Sequence, residues 1–353
     1  MIKKIEYDTF IWFLVRASFA EVTANILIQK ANIDAWISII IGIIIGFIPL
    51  SLYQKLKEKN IIKLNKEIGK IGNIFNLIIV ITIFLFTLFS FWTLLHFIDY
   101  QFLYETKTEI ITVFLIAPII YAVTKKLHII SKVSLILFYT VIFFIILTIL
   151  GLINGVDINN IKPILNTNKL DILKGSYYFI ALNILPLFIL TFIPKEKIQN
   201  YTKKNTTLFY IISTLSLLNV MFLTLSIFKI NLAELYDYPC FHILKRVSVL
   251  EIIDRVESIL SLEWVLALYI QIIISLFYIK AYLKETFKTK TNSQIITVCL
   301  IIAILCNCIF KTNKEEYQFL NIIIPLIYIS FFIIPLISYK IFKNKKRTHT
   351  KNE

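Results

Sequence analysis

The sequence has too few charged side chains to cover the surface of a soluble protein of its length. Only 17% of its 353 residues are charged, whereas 58% are hydrophobic. A soluble domain of this size would need far more polar surface, because large apolar patches make proteins aggregate. The composition therefore excludes a free soluble domain and indicates an integral membrane protein.

The sequence also lacks the clusters of residues that carry catalysis or bind metal ions. Its four cysteines form no CxxC pair and do not have the Cys/His spacing of a zinc site. We interpret them as small apolar side chains within helices. Carboxylates and histidines do not converge at any predicted membrane depth, so we predict neither an enzyme nor a bound cofactor or metal.

Long apolar runs make up most of the chain. Runs of about 17–25 apolar residues match the ~30 Å hydrocarbon layer of a bilayer as helices, and their lack of polar alternation argues against barrel strands. The first run contains Arg16 and Glu21 and has no small-residue cleavage site, so we expect it to remain as a span. We predict a single all-α membrane domain over residues 1–353, with spans at 9–29, 34–54, 73–98, 108–124, 131–153, 174–193, 206–228, 259–283, 294–310 and 320–342.

The net charge of +15 is explained by membrane topology. With the N-terminus in the cytoplasm, 25 of the 37 Lys and Arg residues fall in cytoplasmic segments and 11 fall in outer loops. The positive-inside rule favours this orientation. We therefore predict cytoplasmic N- and C-termini and some attraction to anionic membrane lipid, and we predict no nucleic acid partner.

Two charged residues lie inside the first span, where ionisable side chains are costly and commonly functional. Arg16 and Glu21 are separated by a stretch that includes Ala17, Ser18 and Ala20. Small residues between two charges suggest a place where the helix opens and exposes its backbone to a ligand. The alternative is that neighbouring helices satisfy both charges, because a five-residue offset does not align two side chains on one helix face.

The sixth span contains a proline and an asparagine near its middle. Pro186 removes a backbone donor and clashes with the carbonyl of Leu182, beside which Asn183 lies. Transporters commonly coordinate their substrates at such interrupted helices near the midplane of the membrane. A simple proline kink is the alternative.

A segment at 238–260 has the pattern of an amphipathic helix on the predicted outer surface. Its apolar residues recur at three- and four-residue steps: Ile243, Val247, Leu250, Ile253, Val256 and Leu260. Glu251 and Arg255 stand four residues apart on the charged face and can pair. The segment could cover an entry path, dock a partner, or simply rest at the membrane interface.

Three motifs occur in order along the chain and resemble those of a known family. They read DAWIS at 34–38; IKPIL at 161–165 with ILKGS at 172–176; and YP at 238–239, LKRV at 244–247 and RVE at 255–257 before Trp264. Together they resemble the spore germination permeases, which are the B-type subunits of nutrient germinant receptors in the amino acid–polyamine–organocation superfamily. The resemblance covers nearly the whole chain.

The resemblance implies a LeuT-like fold of two inverted five-helix repeats, spans one to five and six to ten. The interrupted first helix of each repeat would form the ligand site. We therefore expect ligand-binding residues at Ala17, Ser18, Ala20, Glu21, Tyr178, Ala181 and Asn183. The matching RVE motif gives Arg255 and Glu257 a structural or partner-docking role.

The resemblance also implies a function. Such a subunit senses an amino acid or another small nutrient in the bacterial cytoplasmic membrane or the spore inner membrane, together with an A-type subunit and a lipoprotein C-type subunit. A receptor of this kind needs a ligand with different affinities for two conformations. An amino acid transporter, coupled to protons or sodium and built on the same fold, is the alternative.

The charge distribution predicts the side of the membrane on which each loop lies. Single cysteine reporters at Asn60 and Asn344, in a chain without its native cysteines, should react only with reagent on the cytoplasmic side. A reporter at Asn160 should react only from outside. Labelling of Asn60 and Asn344 from opposite sides would mean an odd number of spans and would contradict the inverted repeat.

Overall fold

The computed structural model describes residues 1–246, 256–287, 291–310 and 313–349. These ranges are almost entirely helical, with one isolated β-bridge between Ile2 and Ile198. The α-helices are α1 (Lys4–Arg16), α2 (Ala24–Ala31), α3 (Ala35–Leu56), α4 (Ile61–Ile68), α5 (Lys70–Gln101), α6 (Thr108–Thr124), α7 (Leu127–Leu152), α8 (Lys169–Phe179), α9 (Lys203–Ile227), α10 (Ile230–Ala233), α11 (Pro239–Leu244), α12 (Val256–Leu260), α13 (Leu262–Phe287), α14 (Thr291–Ile309), α15 (Asn313–Tyr328) and α16 (Ile334–His349).

Eight helical stretches in the described ranges are long and apolar enough to cross a membrane, and α6 is a shorter apolar helix. The first stretch, Lys4–Leu56, has 53 residues, about twice what one crossing needs. It divides at Asn32, whose φ of 51° lies in the left-handed region and ends α2. With this division the described part of the chain has ten candidate spans, and the predicted all-α polytopic fold is confirmed.

The first and sixth spans are interrupted, as predicted. The first becomes a π-helix at Phe19–Thr23, between α1 and α2. The sixth becomes a π-helix at Ile180–Ile184 and then a 3₁₀-helix at Leu185–Phe192, which has Pro186 in its first turn. A third π-helix, Ile329–Ile333, interrupts the last span and was not predicted. Such π turns are frequent at functional sites.

The two interrupted spans lie inside the bundle. Helix α1 packs against α7, α9 and α13, while α2 and α3 pack against α8. Of the candidate spans, the stretch Lys169–Phe192 is the most buried and the stretch Leu127–Gly155 is the least. The sixth span therefore lies in the interior, whereas α7 presents most of its apolar surface outwards.

The segment at 238–260 differs from the prediction. Helix α11 begins at Pro239 but ends at Leu244, so the segment is not one continuous helix. Residues 247–255 lie outside the described residues, and with them Glu251 and Arg255. Glu257 lies half-buried in the first turn of α12, and its predicted docking role stays a prediction.

A buried ion pair joins the first span to α13. Nη2 of Arg16 lies 3.0 Å from Oε1 of Glu263, and the two side chains are 4% and 7% exposed. The guanidinium also donates to the Ser216 hydroxyl of α9 and lies 5.0 Å from the ring centroid of Trp12. The alternative that neighbouring helices satisfy the charge is thus correct for Arg16.

Breaking this pair on one side should destabilise the bundle strongly. Arg16→Met or Glu263→Met alone leaves an unpaired buried charge, which costs about 3–5 kcal/mol. We expect each single variant to melt well below the wild-type protein in detergent, and the double variant to recover much of the loss. Lys59→Met, which breaks the exposed pair with Glu67, should change stability by less than about 1 kcal/mol. Unchanged melting of both single variants at the buried pair would show that it does not hold these helices together.

Candidate functional site

The two interruptions meet near the centre of the bundle. The π-helix Phe19–Thr23 contacts the π-helix Ile180–Ile184. Six of the predicted ligand-binding residues are almost fully buried at or next to these two π-helices: Ala17, Ser18, Ala20, Glu21, Ala181 and Asn183. The structure thus brings these residues together, in a region that is closed by side chains.

Asn183 has a structural contact at this crossing. Its Nδ2 atom donates to the carbonyl of Val15, at 2.8 Å. A π turn disturbs the α-helical hydrogen-bond ladder, and inside a bilayer every backbone polar group needs an internal partner. The Asn183 side chain supplies that partner across the two spans, while its Oδ1 atom has none among the described residues.

A glutamine of α13 places a second buried amide side chain near the crossing of the two spans. Nε2 of Gln271 donates to the Ser90 hydroxyl of α5 at 2.7 Å and lies 3.5 Å from the Ser18 hydroxyl. Its Oε1 atom has no partner in the described part of the chain. Unfilled buried acceptors of this kind mark places that water or a ligand can occupy. Gln271 was not predicted, although a lone glutamine within an apolar span is a signal in the sequence.

Glu21 lies in the π-helix of the first span, and none of the described residues neutralises it. Its side chain is buried, and neither carboxylate oxygen accepts a hydrogen bond from the described residues. Arg16, five residues earlier, is held by Glu263 instead. An unpaired carboxylate at membrane depth costs several kcal/mol unless it takes up a proton or a cation.

Glu21 lines a small cleft that is open to solvent and has a free volume of about 30 Å³ in this conformation. The first, third and last spans and the connection between α9 and α13 contribute to it. The lining residues are Glu21, Val22, Asn25, Ile26, His96, Asp237, Tyr238, Glu316, Tyr317 and Leu320. On the predicted topology, the cleft opens to the outer face of the membrane.

The connection that borders the cleft is tied to the first span. Two amide side chains of α2 donate to its backbone: Asn25 to the carbonyl of Asp237 at 2.8 Å, and Gln29 to that of Glu234 at 2.9 Å. Tyr238 shares a hydrogen bond with Nδ1 of His96 on α5. Tyr238, the first residue of the segment at 238–260, thus lines the cleft, while a role of that segment in covering an entry path stays a prediction.

Tyr178 lies apart from the other predicted site residues. It is half-buried, its hydroxyl lies 3.5 Å from Oδ1 of Asn321, and its ring packs edge-on against Tyr177. Of the seven predicted residues, Glu21 alone lines the cleft. The ligand site as a whole stays a prediction. No group of three or more His, Cys, Asp or Glu residues in the described ranges could hold a metal ion.

Comparison with known sequences identifies the family. A family model described as "spore germination protein" matches residues 11–316. Two Bacillus subtilis relatives are similar over nearly their full length. Spore germination protein A2 is 24% identical, over 92% of this chain and 91% of its own. Spore germination protein KB is 22% identical, over 94% of each chain.

A solved structure shows the fold. The chain is similar to a manganese transporter from Eremococcus coleocola, whose crystal structure contains an aromatic bis-isothiourea substituted compound. The TM-score is 0.52 at 12% sequence identity, and the match covers 94% of this chain and 77% of the transporter. At this identity the likeness concerns the fold alone, and it agrees with the predicted LeuT-like architecture.

The family model covers most of the chain, and the helices described above are those of a multi-pass membrane protein. The resemblance carried by the three motifs is therefore confirmed. This chain belongs to the spore permease family of spore germination proteins.

Proposed function

We propose that the chain is the permease-like subunit of a nutrient germinant receptor and that it senses an amino acid or another small nutrient. The family and its germination relatives support this role. The observation that carries the site is Glu21, a buried carboxylate without a described partner in the lining of a cleft. The proposal assigns the chain no enzymatic activity.

The geometry suggests how binding could be converted into a signal. A ligand in the cleft contacts the π-helix of the first span and the connection tied to α2 by Asn25 and Gln29. The small cleft would have to widen to admit the ligand, and this would move α2 against α1, with Phe19–Thr23 as the hinge. The crossing at Asn183 and Val15 would then pass the movement to the sixth span. Such a ligand shifts the equilibrium only by its difference in affinity for the two states.

The proposed setting is the spore inner membrane, with both termini in the cytoplasm and with an A-type subunit and a lipoprotein C-type subunit as partners. Helix α7 offers the most exposed apolar surface of the candidate spans, including Tyr139, Phe143 and Leu150. Lipid or a helix of a partner subunit can cover such a face.

A working amino acid symporter is the second candidate. The fold of a transporter supports it, as does Glu21, since an intramembrane carboxylate is a common site for proton coupling. Purified protein in proteoliposomes distinguishes the two. Net, gradient-dependent uptake of a labelled amino acid would establish transport, whereas ligand binding without uptake fits a receptor.

Deletion of the gene tests the receptor role. We expect spores without it to lose the release of dipicolinic acid in response to at least one nutrient. A wild-type copy should restore the response. Germination should still follow when a non-nutrient trigger bypasses the receptor. An unchanged response to every nutrient would contradict the proposed function.

The role of the crossing between the first and sixth spans in the nutrient response can be tested with a larger side chain at that place. Ala181 is fully buried beside the break, so Ala181→Leu should wedge the spans into one arrangement and abolish the response. Ala122→Leu is the matched control, because Ala122 lines an open groove on α6 with room for a larger side chain. Membrane levels are measured first, and the dose–response to the nutrient follows.

Asn183→Leu removes the donor to Val15 and should have a similar effect. Normal responses from both variants at the crossing would place signalling elsewhere. They would also favour the simpler interpretation of Pro186 as a kink.

A further inference from the structure

The charges around the cleft have one sign. Among the described residues, its lining includes the carboxyl groups of Glu21, Asp237 and Glu316 and neither Lys nor Arg. The ring of His96 faces the hydroxyl of Tyr238 through Nδ1. A cluster of acidic residues alone would not define a site. Here one of them, Glu21, is 4% exposed and has no hydrogen-bond partner among the described residues.

Three cations near the cleft along the chain, Arg16, Lys245 and Arg246, have other contacts. Arg16 is bound by Glu263, Ser216 and the ring of Trp12. Lys245 and Arg246 follow α11, and each lies over an aromatic ring, at 5.2 Å from the centroid of Phe241 and 4.7 Å from that of Phe228. Within the described ranges, therefore, none of these three is placed to receive a ligand carboxylate in the cleft.

We propose that the ligand of this cleft is an amine cation without a free carboxylate, and that its ammonium group binds Glu21. The inference rests on the proposed function and narrows it from any small nutrient to one chemical class. Amino acid amides, amino acid esters and simple amines belong to that class.

Three physical effects favour such a ligand. An ammonium group offers three donors, and hydrogen bonds between ionised partners in a water-poor site are among the strongest in proteins. The rings of Tyr238 and Tyr317 line the same cleft and can face a cation. A ligand carboxylate would instead approach Asp237 and Glu316, and like charges at an interface are strongly disfavoured.

Pairs of matched compounds test the charge requirement. The full-length protein is purified into lipid nanodiscs, and its melting temperature is measured against the common amino acids and their amides, because a ligand stabilises the state it binds. Each pair has the same side chain and differs mainly in the carboxylate. We expect at least one amide to bind, and to bind about tenfold or more tightly than its parent amino acid.

Variants at position 21 test whether the Glu21 carboxylate binds the ammonium group of the ligand. Glu21→Gln keeps the size of the side chain and removes its charge, so the affinity for the bound amide should fall by about tenfold or more. Glu21→Asp should restore part of it. Glu109→Gln, the same change at an exposed site outside the cleft, should bind like the wild-type protein. Without ligand, Glu21→Gln should melt at or above the wild-type temperature, since it removes a buried charge without a described partner.

Several results would overturn the inference. The first is that an amino acid binds as tightly as its amide. The second is that none of the amides stabilises the wild-type protein. The third is that Glu21→Gln binds the amide with the same affinity as the wild-type protein. The gene deletion described above is independent of these measurements. Loss of nutrient response in the deletion strain together with any of these results would refute the amine class and leave the receptor role standing. Amide binding with an unchanged deletion strain would refute the receptor role alone.

Discussion

The interaction on which this structure depends is the buried ion pair between Arg16 and Glu263. It joins residues 247 positions apart and places two opposite charges 3.0 Å from each other inside an apolar bundle. Because each charge would be very costly alone, the pair fixes how α1 lies against α13. It also determines which carboxylate near Arg16 is neutralised. Glu263 takes the guanidinium, and Glu21 is left without a described partner in the lining of the cleft.

A second constraint acts on the backbone. Two helices that are interrupted inside a membrane must replace the hydrogen bonds that their π turns disturb. Asn183 does this for the carbonyl of Val15, which couples the first span to the sixth at one point. The residue that the sequence suggested as a ligand contact is thus, in this conformation, a contact between helices. A movement at Phe19–Thr23 would have to break or carry this bond, and that makes the crossing a credible place for a switch.

The sequence predicted the features that depend on residues close together along the chain. Apolar runs predicted the polytopic helical fold, and Glu21 could be singled out because a charge in a span is conspicuous. The partner of Arg16 could not be predicted, since many helices could have faced it. His96 and Glu316 were missed because a polar residue near the end of a span usually rests at the membrane interface. The π-helix Ile329–Ile333 was missed because Pro325 and Pro335, which flank it, predict only ordinary kinks, although Pro335 has no N–H to donate to the carbonyl of Phe331.

The central claim is that the carboxylate of Glu21 is free and makes an acidic cleft that opens to the outer face. The most direct test is the reactivity of Tyr317→Cys, at a position that lines the cleft and is 46% exposed, in a chain without its native cysteines. Cationic and anionic thiol reagents of equal size are added from outside, and each rate is divided by the rate with a free thiol. A free carboxylate predicts a corrected rate for the cationic reagent at least about tenfold higher, and a smaller ratio after Glu21→Gln. Equal corrected rates, or faster reaction with the anionic reagent, would contradict the account.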